Sequence, residues 1–166
     1  MNIQLGNWAI DHTQSLKDRS VISRHSEWLC YAGLIPFVTL AGLCLLLQGD
    51  AQQYAGRALV SYGAVIIAFL GATHWGAVIN GVNTPNGSSR MLFAILPALL
   101  GWVAMLLPQA TGLFVILVSL GAIYFVDRCW GELHDRYLSL RRRLTLVASM
   151  SVALVLIFTY GSMLDV

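Results

Sequence analysis

The sequence predicts an all-α bundle of five membrane-spanning helices, and three observations lead to that prediction. Of the 166 residues, 57% are hydrophobic and only 11% are charged, whereas an average soluble domain carries about 25% charged residues. Four long windows contain no Asp, Glu, Lys or Arg: 28–49, 58–89, 91–126 and 144–164. Because a helix crosses the hydrocarbon core with about 20 apolar residues, these windows hold five spans. The composition excludes a water-soluble globular enzyme.

The first two spans each lie within one charge-free window. Span one is predicted at 28–47, with Trp28 and Tyr31 at the interface where aromatic belts form. Span two is predicted at 58–80 and ends in the turn-forming sequence GVNTPNGSS.

The third charge-free window, 91–126, is too long for one span. Turn formers in the sequence PQATG divide it into span three at 91–107 and span four at 111–130. Span five is predicted at 144–163.

The basic residues predict the direction of the chain. Of the 10 Lys and Arg residues, all but Arg57 fall on one side of the predicted membrane. Cytoplasmic loops accumulate positive charge. The N-terminus is therefore predicted to be cytoplasmic and the C-terminus to lie outside.

Residues 1–27 are predicted to form a cytoplasmic or interfacial segment, and residues 28–166 the five-span transmembrane domain. A cleaved signal peptide is not expected, because the apolar run is too long and follows too long a lead. Headgroup contact and a frayed tail are both open for the N-terminal segment.

One histidine, His74, lies within a span, about six residues from its predicted cytoplasmic end. An ionisable side chain at that depth usually faces the bundle interior and pairs with another group. Pro36 and Pro97 remove helical hydrogen bonds in spans one and three, and both are expected near the depth of His74. We expect His74 to satisfy a freed carbonyl, either as a packing contact or as part of a ligand or proton site.

Asp127 precedes Arg128 at the end of span four, on the same side as His74. If span four continues to Trp130, Asp127 lies in the last helical turn and could form a proton-binding pair with His74. The alternative is that Asp127 and Arg128 only mark the end of a helix at the headgroups.

A stripe of small residues follows one face of span two: Ala64, Ala68, Ala72 and Gly76. Such stripes let another helix approach closely. His74 lies about 200° around the helix from this stripe, so span two is predicted to be buried on both sides. Gly63 and Gly71 flank His74 and are expected to leave room for a ligand or a water.

A basic cluster follows span four: Arg136, Arg141, Arg142 and Arg143. We expect it to set topology and to attract anionic lipid headgroups. Nucleic-acid binding is not expected, because the net charge is only +2.

The sequence lacks the usual catalytic and cofactor motifs, including GxSxG, HExxH, a Walker loop and CxxCH. Cys30, Cys44 and Cys129 have no metal-ligand spacing, so packing is their expected role. No metal and no cofactor is predicted, with a haem or quinone site kept as a weaker alternative.

Four motifs stand in a familiar order: YAGLIPF in span one, SYGAVIIAFLGATHWG in span two, LPALLGW in span three and DR at the end of span four. Over roughly residues 28–160 the chain resembles a domain-of-unknown-function family of small bacterial inner-membrane proteins that includes the mitochondrial transmembrane protein 69. The resemblance implies a multi-pass protein of the bacterial inner membrane without an established activity. It also points to Trp75 beside His74.

Two functions are compatible with these features. The first is a non-catalytic accessory or assembly protein that packs against itself, as in a homodimer, or against a larger membrane complex. The second is a small transporter or proton-linked ligand-binding protein with a site centred on His74 near the cytoplasmic face. Five spans cannot provide two equal halves for alternating access, so the second function also needs a homodimer.

Overall fold

The computed structural model describes residues 24–79, 87–129 and 135–164. Nearly all of these residues are helical, and no strand occurs among them. The helices are α1 (Arg24–Ala32), α2 (Ile35–Leu46), α3 (Asp50–Ile79), α4 (Gly87–Leu106), α5 (Gln109–Cys129) and α6 (Asp135–Leu164). The prediction of an all-α fold is confirmed.

Within the described ranges, five segments are long and apolar enough to cross a membrane: Glu27–Leu46, Asp50–Gly76, Ser89–Leu106, Gln109–Cys129 and Leu138–Thr159. The prediction of five spans is therefore confirmed, whereas the direction of the termini stays a prediction. Large apolar side chains such as Phe69 and Ile157 are exposed along these segments. That exposure suits a surface covered by lipid.

The chain forms two compact units, residues 1–32 and residues 33–166. In the first unit the structure describes helix α1, on which Trp28 and Leu29 are exposed. Residues 1–23 lie outside the described residues, so the predicted boundary between residues 27 and 28 stays a prediction.

Two helices begin well before the spans predicted from charge-free windows. Helix α3 starts at Asp50 instead of residue 58, and α6 starts at Asp135 instead of residue 144. Charge-free windows mark the hydrocarbon core, but a helix satisfies its own backbone and can continue through the headgroup region. Trp130 and residues 80–86 lie outside the described residues.

The second unit begins with an interruption in the first apolar run. Helix α2 starts at Ile35 with Pro36 in its first turn, where a residue without an N–H group is tolerated. The hydroxyl of Tyr62 on α3 donates a 2.8 Å hydrogen bond to the carbonyl of Gly33, and the Phe37 ring packs edge-on against Tyr62. Tyr62 therefore holds the Gly33 carbonyl at this break. The expectation that His74 satisfies a carbonyl freed by Pro36 or Pro97 stays a prediction.

A tight turn connects α2 to α3. Gly49 adopts a φ of 63°, a left-handed conformation that glycine accepts without steric cost. The Gln52 side chain then donates a 3.0 Å hydrogen bond to the carbonyl of Cys44 near the end of α2. These contacts satisfy backbone groups that a helix end leaves unpaired.

Helix α3 is the central element of the second unit, because it packs against α2, α4 and α5, while α6 packs against α5 and α2. Inside the protein, 44% of the α3 span is buried, compared with 17–33% for the other spans. The largest buried side chains of the core are Phe37, Leu59, Ile67, Leu113, Ile116, Leu120, Ile123, Val152 and Val155. Span two is the most buried of the five spans, but the prediction that it is buried on both sides does not hold near its end, where Ala72 and Thr73 are exposed.

Glycines let the neighbouring helices approach α3 closely. A Cβ atom at Gly71 would lie 2.6 Å from the backbone oxygen of Ala94 on α4, and one at Gly63 would lie 2.6 Å from the Ile116 side chain on α5. The expectation that Gly63 and Gly71 leave room for a ligand is therefore wrong, since α4 and α5 occupy that space.

The predicted small-residue stripe makes close contact at one end only. Ala64 is buried against Gly101 of α4. Ala68 is partly buried, Ala72 is exposed, and a Cβ at Gly76 would meet nothing within 4 Å. Within a single chain the stripe does not pack along its length, because α4 contacts the face that carries Gly71 instead.

Candidate functional site

Three polar side chains meet in the interior of the second unit. Nε2 of His74 lies 2.9 Å from Oδ1 of Asp127, and Nε of Arg141 donates a 2.7 Å hydrogen bond to Oδ2 of the same carboxylate. The three side chains are nearly inaccessible, with 9%, 3% and 7% exposed. We call His74, Asp127 and Arg141 the buried triad.

The two contacts of the triad differ in geometry. The bond from Arg141 to Asp127 satisfies both distance and angle. Nε2 of His74 approaches Oδ1 closely but without the alignment of a good hydrogen bond. The contact is therefore an ion pair only when the ring is protonated.

Helix geometry explains why these three residues meet. His74 lies in the last two turns of α3, Asp127 in the last turn of α5 and Arg141 in the second turn of α6. Because α5 and α6 are consecutive antiparallel helices, the end of one lies beside the start of the next. The triad therefore joins three helices at the end of the bundle that is predicted to be cytoplasmic.

Helix α4 closes the fourth side of the histidine. The ring of Phe93 meets the ring of His74 edge-on, with centroids 5.4 Å apart. Arg90, one turn earlier on α4, is also buried, with 5% of the residue exposed. The imidazole thus contacts both an aromatic ring and a carboxylate.

The charges of the triad balance when His74 is neutral, because Asp127 and Arg141 cancel. Buried ions are tolerated when they are paired and hydrogen-bonded, and each oxygen of Asp127 has a partner. A proton on His74 would add a positive charge to this interior. The triad can therefore join helices electrostatically, and it can also hold a proton.

Arg141 is the member of the triad that the sequence did not indicate. It was expected to face lipid headgroups together with its neighbours, yet it is 6% exposed and bonded to Asp127. A usable signal was present, because a lone acid at the end of one span calls for a cation at the start of the next. Arg128, the cation adjacent in sequence, is exposed.

The structure places the other predicted site residues in different locations. Pro97 is buried, and its ring would lie 3.0 Å from a Cβ at Gly71, one turn from His74. Pro36 is at the level of Tyr62, which precedes His74 on α3 by roughly 18 Å. The expectation that Pro36 lies at the same depth as His74 is therefore wrong, because the break before α2 lies nearer the middle of the bundle.

Trp75 does not join the buried triad. It is 44% exposed because it follows His74 by one residue, or about 100° around the helix. An exposed indole near the end of a span suits the membrane interface.

The remaining arginines of the basic cluster differ from Arg141. Arg142 and Arg143 are exposed, as headgroup contact requires. The side chain of Arg136 lies outside the description of the structure.

No group of His, Cys, Asp and Glu suited to a metal ion occurs within residues 24–79, 87–129 and 135–164. Cys44 is buried, whereas Cys30 and Cys129 are exposed, and all three are free thiols.

Comparison with known proteins identifies the family. The model of a family described as "Protein of unknown function (DUF3429)" matches residues 22–157. The chain belongs to the DUF3429 family. All three members of the buried triad lie within the matched region of this DUF3429 protein.

A curated relative supports the same assignment. The DUF3429 chain is 34% identical to a protein named Transmembrane protein 69 from Xenopus tropicalis over 130 residues, which is 75% of this chain and 51% of the relative. The chain thus spans about half the length of the curated relative it matches. No solved structure matches it. This DUF3429 chain is a multi-pass membrane protein, as the resemblance predicted.

Proposed function

We propose that this protein is a non-catalytic accessory or assembly protein that packs against a second copy of itself or against a larger membrane complex. We further propose that it resides in the inner membrane of a bacterium. The observation that carries the proposal is the buried triad, whose charges are paired with one another. Both oxygens of Asp127 are engaged by partners on α3 and α6. Such a cluster fixes helices relative to one another.

The surface of α3 next to the triad supports a role in packing. Ala72 and Thr73 are exposed, and Gly76 leaves open space above its backbone. Small side chains on an exposed transmembrane face allow another helix to approach closely. We propose that this face contacts the partner.

The proposal is tested by measuring assembly in native membrane extracts and in lipid nanodiscs. The wild-type protein is expected to run well above its 18.2 kDa chain mass, as a homodimer or with a defined partner. Ala72→Trp is expected to reduce the assembly, because the large ring blocks helix approach. Val118→Trp is the matched control, since Val118 is exposed on a different helix, α5.

Two results would contradict the assembly proposal. One is a wild-type protein that remains a strict monomer without a co-purifying partner. The other is equal assembly of the Ala72→Trp and Val118→Trp variants.

A second candidate function is proton-linked ligand binding or transport by a homodimer. The observation that favours it is the His74–Asp127 contact of 2.9 Å, because histidine changes its charge near neutral pH. Asp127 on α5 contacts the ring, Arg141 on α6 bonds to the same carboxylate, and the buried Arg90 lies one turn before Phe93 on α4.

This second function predicts pH-dependent flux or ligand binding in proteoliposomes. His74→Ala should abolish that dependence while the helical fold and its melting profile survive. If His74→Ala instead lowers stability and recovery of the partner without any pH-dependent signal in the wild type, the assembly function is favoured.

We also propose that the exposed Arg142 and Arg143, together with Arg136, attract anionic lipid headgroups. Each exposed cation near a charged surface contributes about 1 kcal/mol of attraction. The effect is expected to weaken with salt, because surface charges are screened.

A further inference from the structure

An open cavity lies at the end of the bundle opposite the buried triad. It has a volume of about 530 Å³ and lies between one face of α3 and the turn that joins α4 to α5. Its lining consists of Gln53, Arg57, Val60, Ser61, Met105, Leu106, Leu107, Pro108 and Gln109. The volume is in the range of small-molecule sites, which are about 300–1,000 Å³.

The lining combines one cation, uncharged polar groups and apolar side chains. Among the described residues that line the cavity, Arg57 supplies a positive charge and none is acidic. Gln53 on α3 and Gln109 on α5 add amide groups. This lining favours a ligand that has both an anionic group and an apolar part.

Two features of the backbone reinforce this preference. Helix α5 begins at Gln109, beside the cavity, and the N–H groups of a first helical turn have no acceptor within the helix. Gly56 provides the space in which the Gln109 side chain lies, because a Cβ at Gly56 would collide with its amide group. A glycine on α3 therefore positions one polar wall of the cavity.

The ends of the apolar segments indicate the depth of the cavity in a membrane. The third candidate span ends at Leu106 and the fourth begins at Gln109, so that the connecting turn is at the boundary of the apolar segments. Arg57 is seven residues from the start of α3 at Asp50, which places it roughly 10 Å along a helix that extends beyond the core. We therefore infer that the cavity lies near the headgroup region, where phospholipid phosphates occur.

We propose that this cavity binds the phosphate group of a phospholipid, with Arg57 pairing with the phosphate and Gln53 and Gln109 donating hydrogen bonds. Arg is well suited to phosphate because its planar guanidinium carries several fixed donors. Val60 and Met105 would contact the glycerol backbone and the start of an acyl chain. The lone positive charge favours an anionic headgroup over a zwitterionic one.

This site is distinct from the headgroup attraction proposed for the basic cluster. Arg142 and Arg143 are exposed on the helix that follows the buried triad, at the other end of the bundle. Exposed arginines can attract lipid headgroups without a cavity. In contrast, we expect the cavity beside Arg57 to bind one lipid at a defined position.

The proposal is tested by native mass spectrometry of the full-length protein titrated with phosphatidylglycerol, with a diacylglycerol of the same chains, and with inorganic phosphate. One tightly bound phosphatidylglycerol is expected. Arg57→Gln should weaken it by roughly five- to tenfold, the loss typical of one charge-assisted contact. Gly56→Ala should also weaken it, because the Gln109 side chain is displaced.

A photoreactive phosphatidylglycerol gives the position of the bound lipid. Crosslinks are expected within residues 53–61 and 105–109 of the wild type, and they should decrease in the Arg57→Gln variant. The double variant Arg142→Gln/Arg143→Gln removes exposed charge at the other end and should keep these crosslinks. Helical content and melting temperature are measured for each variant to show that it is folded.

Three results would overturn the proposal. The first is unchanged affinity and unchanged crosslinking in Arg57→Gln. The second is that diacylglycerol binds as tightly as phosphatidylglycerol, which would show that the cavity binds acyl chains without recognising the phosphate group. The third is Arg57-dependent binding of inorganic phosphate with no retained phosphatidylglycerol, which would assign the site to a free anion.

Discussion

The two ends of the bundle differ in whether their charged side chains are buried or exposed. At one end, His74, Asp127 and Arg141 are buried and in contact with one another. At the other end, Arg57 is exposed and lines an open cavity. Buried ions require partners from the protein itself, whereas a cation at the surface can be solvated or can bind an external anion. We infer that the first end stabilises the fold and the second end is open to a ligand.

The largest expected effect comes from breaking the buried triad. Asp127→Ala leaves the Arg141 guanidinium buried without its carboxylate, which should lower the free energy of unfolding by about 3–5 kcal/mol. Reversible unfolding in mixed micelles measures the change. Asp50→Ala is the matched control, because Asp50 is an exposed acid at the start of α3. If both variants lost the same free energy of unfolding, the buried triad would not stabilise the fold more than an exposed charge does.

A double variant sharpens this test. Asp127→Asn/Arg141→Gln removes both charges, and it should be less unstable than the sum of the two single changes, because neither ion is left unpaired. Strict additivity in the unfolding measurement would argue against a coupled pair.

The next largest effect concerns the close contact beside the triad. Gly71→Ala places a Cβ atom 2.6 Å from the Ala94 oxygen and should cost about 1–3 kcal/mol through overpacking. Gly121→Ala is the control, because a Cβ there would meet nothing within 4 Å. A melting temperature that falls only for Gly71→Ala is expected, while an unchanged value would mean that α4 can shift away at little cost.

A smaller effect is expected between the two ends, at the break before α2. Tyr62→Phe removes the hydrogen bond to the Gly33 carbonyl and should lower the free energy of unfolding by about 1 kcal/mol. Tyr54→Phe removes a hydroxyl from a residue that is 78% exposed, and its effect should be close to zero. Comparable values for both tyrosines would show that the carbonyl finds another donor.

The smallest effect on stability is expected at the open end. Arg57→Gln should change the free energy of unfolding by less than about 0.5 kcal/mol, as surface substitutions usually do, although it weakens lipid binding. A loss of several kcal/mol in the same unfolding assay would show that Arg57 stabilises the fold, and the contrast between the ends would not hold.

The structure shows which parts of the site could be read from the sequence. His74 and Asp127 were singled out because polar groups are costly in lipid, and they lie in contact. Arg141 was expected at the headgroups, because the run of three arginines does not itself show which one faces inward, and the signal from Asp127 at the end of the preceding span does not choose among them. One residue along a helix rotates the side chain by about 100°, so neighbours with the same charge can have opposite environments.

The small-residue stripe was misread for a related reason. Glycine and alanine occur on several faces of α3, and their spacing cannot tell which face another helix will contact. The side occupied by Gly63 and Gly71 is the one that α4 and α5 fill. Ala72 is left exposed, which makes its face a candidate for an external partner.

The sequence by itself determined the fold class, the number of spans and the residues that a membrane penalises, because these follow from composition and from the length of a helix. Only the tertiary structure decided which polar groups are partners, that Tyr62 bonds to the Gly33 carbonyl before α2, and that Arg57 lines a cavity. Such contacts depend on how helices are rotated and staggered against one another. Those two quantities arise from packing along the whole length of each helix, so no local pattern encodes them.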